Sequence, residues 1–168
     1  NTRVGAIADM TATSFYPAKT LGGYGDGGAM FTDDPARAHR WRSIRWHGTD
    51  DQKRESIRVG VNGRLDSMQC AVLLAKLGIF DDEMEKRAHL AALYAKRLKG
   101  VVAMPEPQAD ADSAWGLFTV YVDAREKTMA ALKEKGVPTV IYYPIPLHKH
   151  RAFAPHAPQG GLPVCERM

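Results

Sequence analysis

The chain has 168 residues and a mass of 18.5 kDa, enough for one domain or slightly more. Its 45% hydrophobic and 25% charged residues match average globular usage and exclude disordered and fibrous classes, while the longest apolar run, Cys70 to Ala75, is far short of the roughly 20 residues of a membrane span. Lys and Arg outnumber Asp and Glu by 23 to 19, a net charge of +4 that permits an anionic partner without requiring one.

No apolar stretch of a secretory signal follows Asn1–Thr2–Arg3, and the absent initiator Met leads us to expect a soluble piece of a longer chain. Ala12 to Tyr16 is a short β-prone run stopped by Pro17. Gly22, Gly23, Gly25, Gly27 and Gly28 then crowd a loop that neither helix nor regular strand tolerates. Ala29 to Thr32 reads as a short strand. Asp33–Asp34–Pro35 supplies a carboxylate cap and an N1 proline for a helix expected to reach Trp46 or His47, with Gly48 as its stop. Thr49 to Gly63 is polar and aperiodic, a long loop of the kind that is more often functional than idle.

Leu73, Leu77, Phe80, Met84, Ala88, Ala91, Tyr94 and Leu98 recur every three or four residues, one apolar helical stripe. Gly78 is a place for a kink, and Gly100 ends the stripe. Pro105 and Pro107 mark a connection. Trp115 to Val122 and Val137 to Tyr143 read as strands flanking a helix from Arg125 to Lys135 closed by Gly136, a small β-α-β unit. The tail carries Pro144, Pro146, Pro155, Pro158 and Pro163, so it is expected to be irregular, with a helix beginning as the chain reaches Met168.

Gly23–Tyr24–Gly25–Asp26–Gly27–Gly28 formally matches G-x-G-x-x-G, but it leads into a strand rather than a helix and lacks a following Lys–Ser/Thr pair. Both nucleotide-loop readings therefore fail. The glycines still mean that backbone passes close to a ligand or another chain. Lys19, set among aromatics, proline and glycines rather than charges, suits a partly desolvated nucleophilic amine, although a lone loop lysine is ordinarily just solvated. The basic run Arg37, His39, Arg40, Arg42 and Arg45 shares its helix with Ala38, Trp41 and Ile44, so we read it as a solvated face rather than a nucleic-acid surface. His148, His150, His156 and Cys165 fit no standard zinc spacing. Cys70 and Cys165 form no C-x-x-C pair, Cys70 reads as a reduced buried thiol, and a reducing cytoplasm fits best.

The segment Ser14-Phe-Tyr-Pro-Ala-Lys19-Thr-Leu-Gly22-Gly-Tyr-Gly25-Asp-Gly27-Gly28 closely resembles the Schiff-base segment of the DegT-family (DegT/StrS type) nucleotide-sugar aminotransferases. The resemblance continues through Arg45–Trp46–His47–Gly48, Gly60–Val61–Asn62–Gly63–Arg64–Leu65–Asp66 and Gln69–Cys70–Ala71. It resumes at Tyr143–Pro144–Ile145–Pro146–Leu147–His148 and Leu162–Pro163–Val164–Cys165–Glu166, and so covers nearly the whole chain in order. It implies an α/β class and part of the aspartate-aminotransferase architecture (PLP fold type I). Residues 1–64 would end the large, cofactor-binding domain, 65–100 would be a long linking helix, and 101–168 would begin a small α+β domain.

The resemblance also implies roles. Pyridoxal 5'-phosphate would be the cofactor, with Lys19 as its Schiff-base lysine and then proton shuttle, and Ser14 near its phosphate. Asn62 would reach the phosphate of a neighbouring subunit, since active sites in this family are shared across a homodimer. Without the motif, Ser14 reads as a strand hydroxyl and Asn62 as a turn residue. Tyr142 and Tyr143 either contact sugar or nucleotide, or are core aromatics on a strand. Arg64 either clamps a substrate carboxylate or makes a structural ion pair with Asp66 or a helix end. The family's pyridine-binding aspartate and ring-stacking aromatic lie upstream of the matching segment; Asp9 and Asp26 do not replace them. Lys19 itself argues against the branch that carries histidine there and dehydrates.

The expected partners are a nucleotide-sugar substrate and an amino donor, glutamate, with no nucleic acid and no membrane. Surface polysaccharide, lipopolysaccharide or glycan synthesis is the expected setting, and the run Val59 to Phe80 looks most like relatives acting on UDP-linked keto-uronates. The competing readings are a non-catalytic dimerisation segment of the same fold and, more remotely, a basic nucleic-acid-binding module.

Overall fold

The computed structural model describes residues 2–106 and 109–167; Asn1, the expected connection at Pro107 and the terminus at Met168 lie outside the described residues. The chain forms two compact units, Asn1–Ala92 with Ala111–Leu117, and Leu93–Asp110 with Phe118–Met168.

In the first unit a 3-10 turn at Val4–Ala6 precedes β1 (Thr11–Ser14), which pairs antiparallel with β2 (Gly28–Phe31) from Thr11↔Phe31 to Ser14↔Gly28. The ladder runs on at the loop side, where the Phe15 amide donates to the Gly27 carbonyl at 2.8 Å. A Cβ on Gly28 would stand 2.7 Å from the Thr13 oxygen, so glycine is what lets the two strands close at that end.

Helix α1 (Pro35–Ile44) begins as expected: Asp34 Oδ1 accepts from the Ala36 and Arg37 amides at 2.8 and 3.2 Å, with Pro35 at the first position. It ends short of Trp46. The Val61 amide takes the Ile44 carbonyl at 2.8 Å and the Gly63 amide takes the Arg45 carbonyl at 2.9 Å, so tertiary partners replace the next helical turn. His47 and Gly48 adopt left-handed backbone (φ 58° and 73°). Gly48 is obligatory there, because a Cβ would overlap the Arg58 carbonyl, whose own residue and Ile57 donate to the Gly48 oxygen. The polar loop is thus organised, with bridges Trp46↔Asn62 and Thr49↔Ser56.

The long apolar stripe is two helices. α2 (Ser67–Leu77) is capped by Asp66, whose Oδ1 accepts from the Gln69 amide at 2.8 Å, and α3 (Phe80–Leu98) follows after a break at Gly78 and Ile79. The kink site is therefore a full interruption. α3 carries Asp81, Asp82 and Glu83 in its first turn and Lys96 and Arg97 in its last, signs that complement the helix dipole. Leu73 and Ala91 are buried, but Leu77 and Tyr94 on the same expected stripe are about half exposed. Cys70 is only partly buried and Cys165 is exposed, both as free thiols.

In the second unit Tyr94 stacks on Phe118 with centroids 5.0 Å apart, and Gly100 and Gly136 take positive φ just beyond α3 and α4 (Arg125–Glu134), as their sequence positions imply. The two strands expected around α4 do not form. Of the run 115–122 only Tyr121 gains a ladder partner, its amide donating to Ala103 at 2.9 Å, and Trp115 (φ 45°) turns the chain at the run's start. Residues 137–143 gain no ladder partner among the described residues. An extended run without a partner is not a strand, whatever its alternation. The tail folds into 3-10 turns at Leu147–Lys149 and Ala154–His156, then α5 (Pro163–Arg167), the helix start expected there. Among the described residues no helix is long and apolar enough to cross a membrane.

Candidate active site

Lys19 stands in a turn at the end of the β1 segment, its amide donating to the Tyr16 carbonyl at 2.8 Å. The loop beyond it folds back, with the Gly23 amide donating to the Phe15 carbonyl at 2.8 Å. Gly22 and Gly23 are buried, and a Cβ on Gly22 would stand 2.6 Å from the Pro17 oxygen and 2.7 Å from the Tyr16 oxygen. The glycines therefore let the loop close over the residues immediately before Lys19. The desolvation expected of Lys19 is not supplied by this chain: the residue is exposed, as are Tyr16, Pro17 and Ala18. Flanking apolar residues dry an amine only when something packs over them, and here they face outward.

Ser14 Oγ accepts from the Tyr16 amide at 3.2 Å, which leaves its O–H free to donate. In the loop after α1, Asn62 Oδ1 accepts from Arg64 Nε at 2.9 Å, which leaves the Asn62 amide nitrogen with two N–H donors. The Arg64 guanidinium lies 4.2 Å from the centroid of Trp46, and Lys53 Nζ lies 3.9 Å from the same ring. Of the structural alternatives for Arg64, an ion pair with Asp66 is not formed among the described residues; Asp66 Oδ1 caps α2. Arg64 is held by Asn62 and the indole instead.

Ser14 and Lys19 share one segment, and Asn62 and Arg64 share another. Among the described residues no hydrogen bond or ion pair joins the two pairs. Tyr142 and Tyr143 belong to the second unit, meet edge to face at 6.4 Å and are 56% and 82% exposed. Within the described residues they lie on no strand and are exposed.

Three features escaped sequence reading. Gln69 and Lys76 reach back to the glycine loop: Gln69 Oε1 accepts from the Tyr24 amide at 2.7 Å, and Lys76 Nζ donates to the Gly22 carbonyl at 2.7 Å. The signal was present, since 69, 73 and 76 share a helix face with buried Leu73. The second is the Trp46 stack. The third is Glu166, which joins the two C-terminal motifs. Its Oε1 accepts from His148 Nε2 at 2.9 Å and from the Leu162 amide at 2.9 Å, and Lys149 Nζ lies 2.6 Å from Oε2. The Lys149 ammonium first, then the Leu162 amide and His148, hold the Glu166 carboxyl down at about 2.

Elsewhere, the basic face of α1 is partly tied locally, Arg37 to the Asp9 carbonyl at 2.9 Å and His39 to Asp51 at 3.3 Å. No group of three His, Cys, Asp or Glu able to hold a metal occurs among the described residues. A cleft of about 550 Å³ at the start of α4, lined by Asp123, Arg125, Lys127 and Arg167, touches none of the candidate residues.

The donor set fits an aldehyde-bearing phosphate cofactor. An exposed primary amine with no ion pair among the described residues sits on a glycine-closed turn, and a free hydroxyl donor lies five residues before it in the same segment. A free amide donor stands on a second loop.

The chain belongs to the DegT/DnrJ/EryC1/StrS aminotransferase family, whose pattern matches residues 1–168; it is a family of PLP-dependent nucleotide-sugar transaminases. It is 44% identical over 162 residues to the UDP-2-acetamido-2-deoxy-3-oxo-D-glucuronate aminotransferase of Pseudomonas aeruginosa, covering 96% of this chain and 44% of that protein. Its fold matches S. venezuelae DesV, solved in complex with a ketimine intermediate, with a TM-score of 0.91 at 41% identity over 98% of this chain and 45% of that one. It also matches NtdA of Bacillus subtilis, solved with the cofactor PMP bound, with a TM-score of 0.78 at 30% identity over 99% of this chain and 38% of that one. The chain thus spans less than half the length of these relatives.

Proposed function

We propose that the whole protein carrying this chain is a pyridoxal-phosphate-dependent aminotransferase that moves an amino group from glutamate to the keto group of a nucleotide-linked sugar. Its substrate is a UDP-2-acetamido-3-keto-glucuronate type sugar destined for polysaccharide, lipopolysaccharide or glycan synthesis in the cytoplasm. The observation that carries this reading is the exposed Lys19, without an ion pair among the described residues, on its glycine-closed turn, with the Ser14 hydroxyl available to donate. The 44% identity to a 3-oxo-glucuronate aminotransferase supports the substrate.

Pyridoxal phosphate, when bound, supplies an electron sink beside the reacting amine. Lys19 would hold it through Nζ, and the same amine would serve as the acid and base that carries a proton at the reacting carbon. The Ser14 O–H and the Asn62 amide N–H groups would hold its phosphate, Asn62 across the subunit boundary of a homodimer. The Arg64 guanidinium, braced on Trp46, presents its two Nη groups as a fork that a carboxylate fills and a neutral hexose does not. Tyr142 and Tyr143, both exposed, contact sugar or nucleotide. Residues 1–64, 65–100 and 101–168 serve as the end of the cofactor domain, the link and the small domain.

The test is made on the whole protein. Borohydride reduction and peptide mapping are expected to fix the cofactor on Lys19, and Lys19→Ala to fold without taking it up. An adduct on another lysine overturns the assignment. Arg64→Ala is expected to cost about 2–5 kcal/mol in transition-state binding for the uronate and little for a neutral keto-sugar. Equal losses on both, or a native preference for the neutral sugar, overturn the uronate reading.

A further inference from the structure

We propose that Gln69 and Lys76 on α2 are positioning residues that set where Lys19 stands, by clamping the glycine loop that follows it. The proposal rests on the reading of Lys19 as the cofactor lysine.

Lys19 has one backbone anchor on its own side, to the Tyr16 carbonyl. Left to themselves, the glycines after it are the residues with most conformational freedom to lose. Two side chains reach them from more than forty positions along the chain. Gln69 Oε1 accepts from the Tyr24 amide at 2.7 Å and packs against Gly23 so closely that a Cβ there would be 2.8 Å away. Lys76 Nζ donates to the Gly22 carbonyl at 2.7 Å, and stands 5.3 Å from the centroid of the Tyr24 ring. Gly22 is wedged on its other side against the Tyr16 and Pro17 carbonyls. The peptide of Gly22 is therefore held between the residues that precede Lys19 and the Lys76 ammonium. Leu65 adds a third contact: its Cδ1 would be 2.7 Å from a Cβ on Gly27.

α2 is suited to this task. Asp66 caps it through the Gln69 amide, and Leu73, between Gln69 and Lys76 on the same face, is buried. A helix so anchored is stiffer than the loop it grips. Neither residue touches the cofactor site in the Lys19 segment; they act through the Gly22–Tyr24 backbone. An amine displaced by about an ångström reacts slowly because the geometry of attack is lost.

The experiment uses the whole protein, freed of cofactor and given pyridoxal phosphate, with the rate of borohydride-fixed labelling at Lys19 read by peptide mapping. Gln69→Leu removes the acceptor and Lys76→Met the donor; each is expected to slow labelling at Lys19 about ten-fold or more. Gln69→Glu keeps an acceptor and Lys76→Arg keeps a donor, and each is expected to restore the rate to within about two-fold, which a purely steric or stability effect would not do. If Lys76→Met does not fold, the Gln69 pair carries the comparison. Wild-type rates in Gln69→Leu and Lys76→Met, or failure of both conservative variants to rescue, overturn the proposal while leaving Lys19 as the cofactor lysine. Labelling of a different lysine in the unsubstituted protein overturns the Lys19 reading itself.

Discussion

Glu166 accepts from His148, Lys149 and the Leu162 amide, and its carboxyl is lowered from 4.5 to about 2. A depressed folded value means that the carboxylate contributes stability above its unfolded value and loses it as the pH falls. The window is therefore from about 4.5 down to about 2. We expect the hydrogen-exchange protection factor of the Leu162 amide to be flat from pH 7 to 5 and to collapse below 4. Glu166→Gln should remove that pH-dependent step, and an unchanged profile in Glu166→Gln refutes the assignment. Sequence showed the two motifs that hold His148 and Glu166, yet nothing in either says they meet. They lie 18 positions apart, and only the turns between them bring them together.

α2 shows how far a helix can be read from its pattern. Leu73 is 8% exposed and Leu74 is 70% exposed, although both sit in one apolar run and side chains one step apart point about 100° apart. Leu73→Ala is expected to cost about 2–3 kcal/mol of unfolding free energy by loss of burial and an unfilled cavity. Leu74→Ala should stay within about 0.5 kcal/mol. Thermal or urea unfolding of the chain checks the pair, and comparable losses in both refute the assigned face. The spacing predicts the helix; its Asp66 cap is seen only in the structure. The spacing also joined α2 to α3, because a period of three to four residues continues through Gly78. The break falls where the Gly78 amide makes the last helical bond, to Leu74, and the Ile79 amide turns tighter onto Lys76, which no periodicity reports.

Across the molecule, each unit keeps much of its apolar surface uncovered. Val59 is 97%, Met68 79% and Ile7 70% exposed, and among the described residues no large side chain is fully sealed from solvent. A transamination site needs its donors fixed and water kept out, and Lys19 here is exposed. The 168-residue chain alone is therefore expected to show no transamination with pyridoxal phosphate, glutamate and a keto-sugar. Measurable turnover above the free-cofactor rate refutes this. Exposed apolar patches of this kind are ordinarily covered by protein, in keeping with a chain that spans 44% of its Pseudomonas relative.

What the sequence determined alone are the features that act through bonds a few residues long. Asp34–Pro35 starts a helix, and Gly100 and Gly136 stop two others. The glycines after Lys19 rule out a helix, and the motif around Lys19 identifies the family. Tertiary structure decided where α1 ends, because Val61 and Gly63 take its last carbonyls. It decided that residues 137–143 take no ladder partner among the described residues, because alternation supplies a face but not a neighbouring strand. It also decided that Gln69 and Lys76 serve the Lys19 loop. Those bonds span 45 and 54 positions, and over such distances the chain's path sets the partner, while residue type sets only what the partner can do.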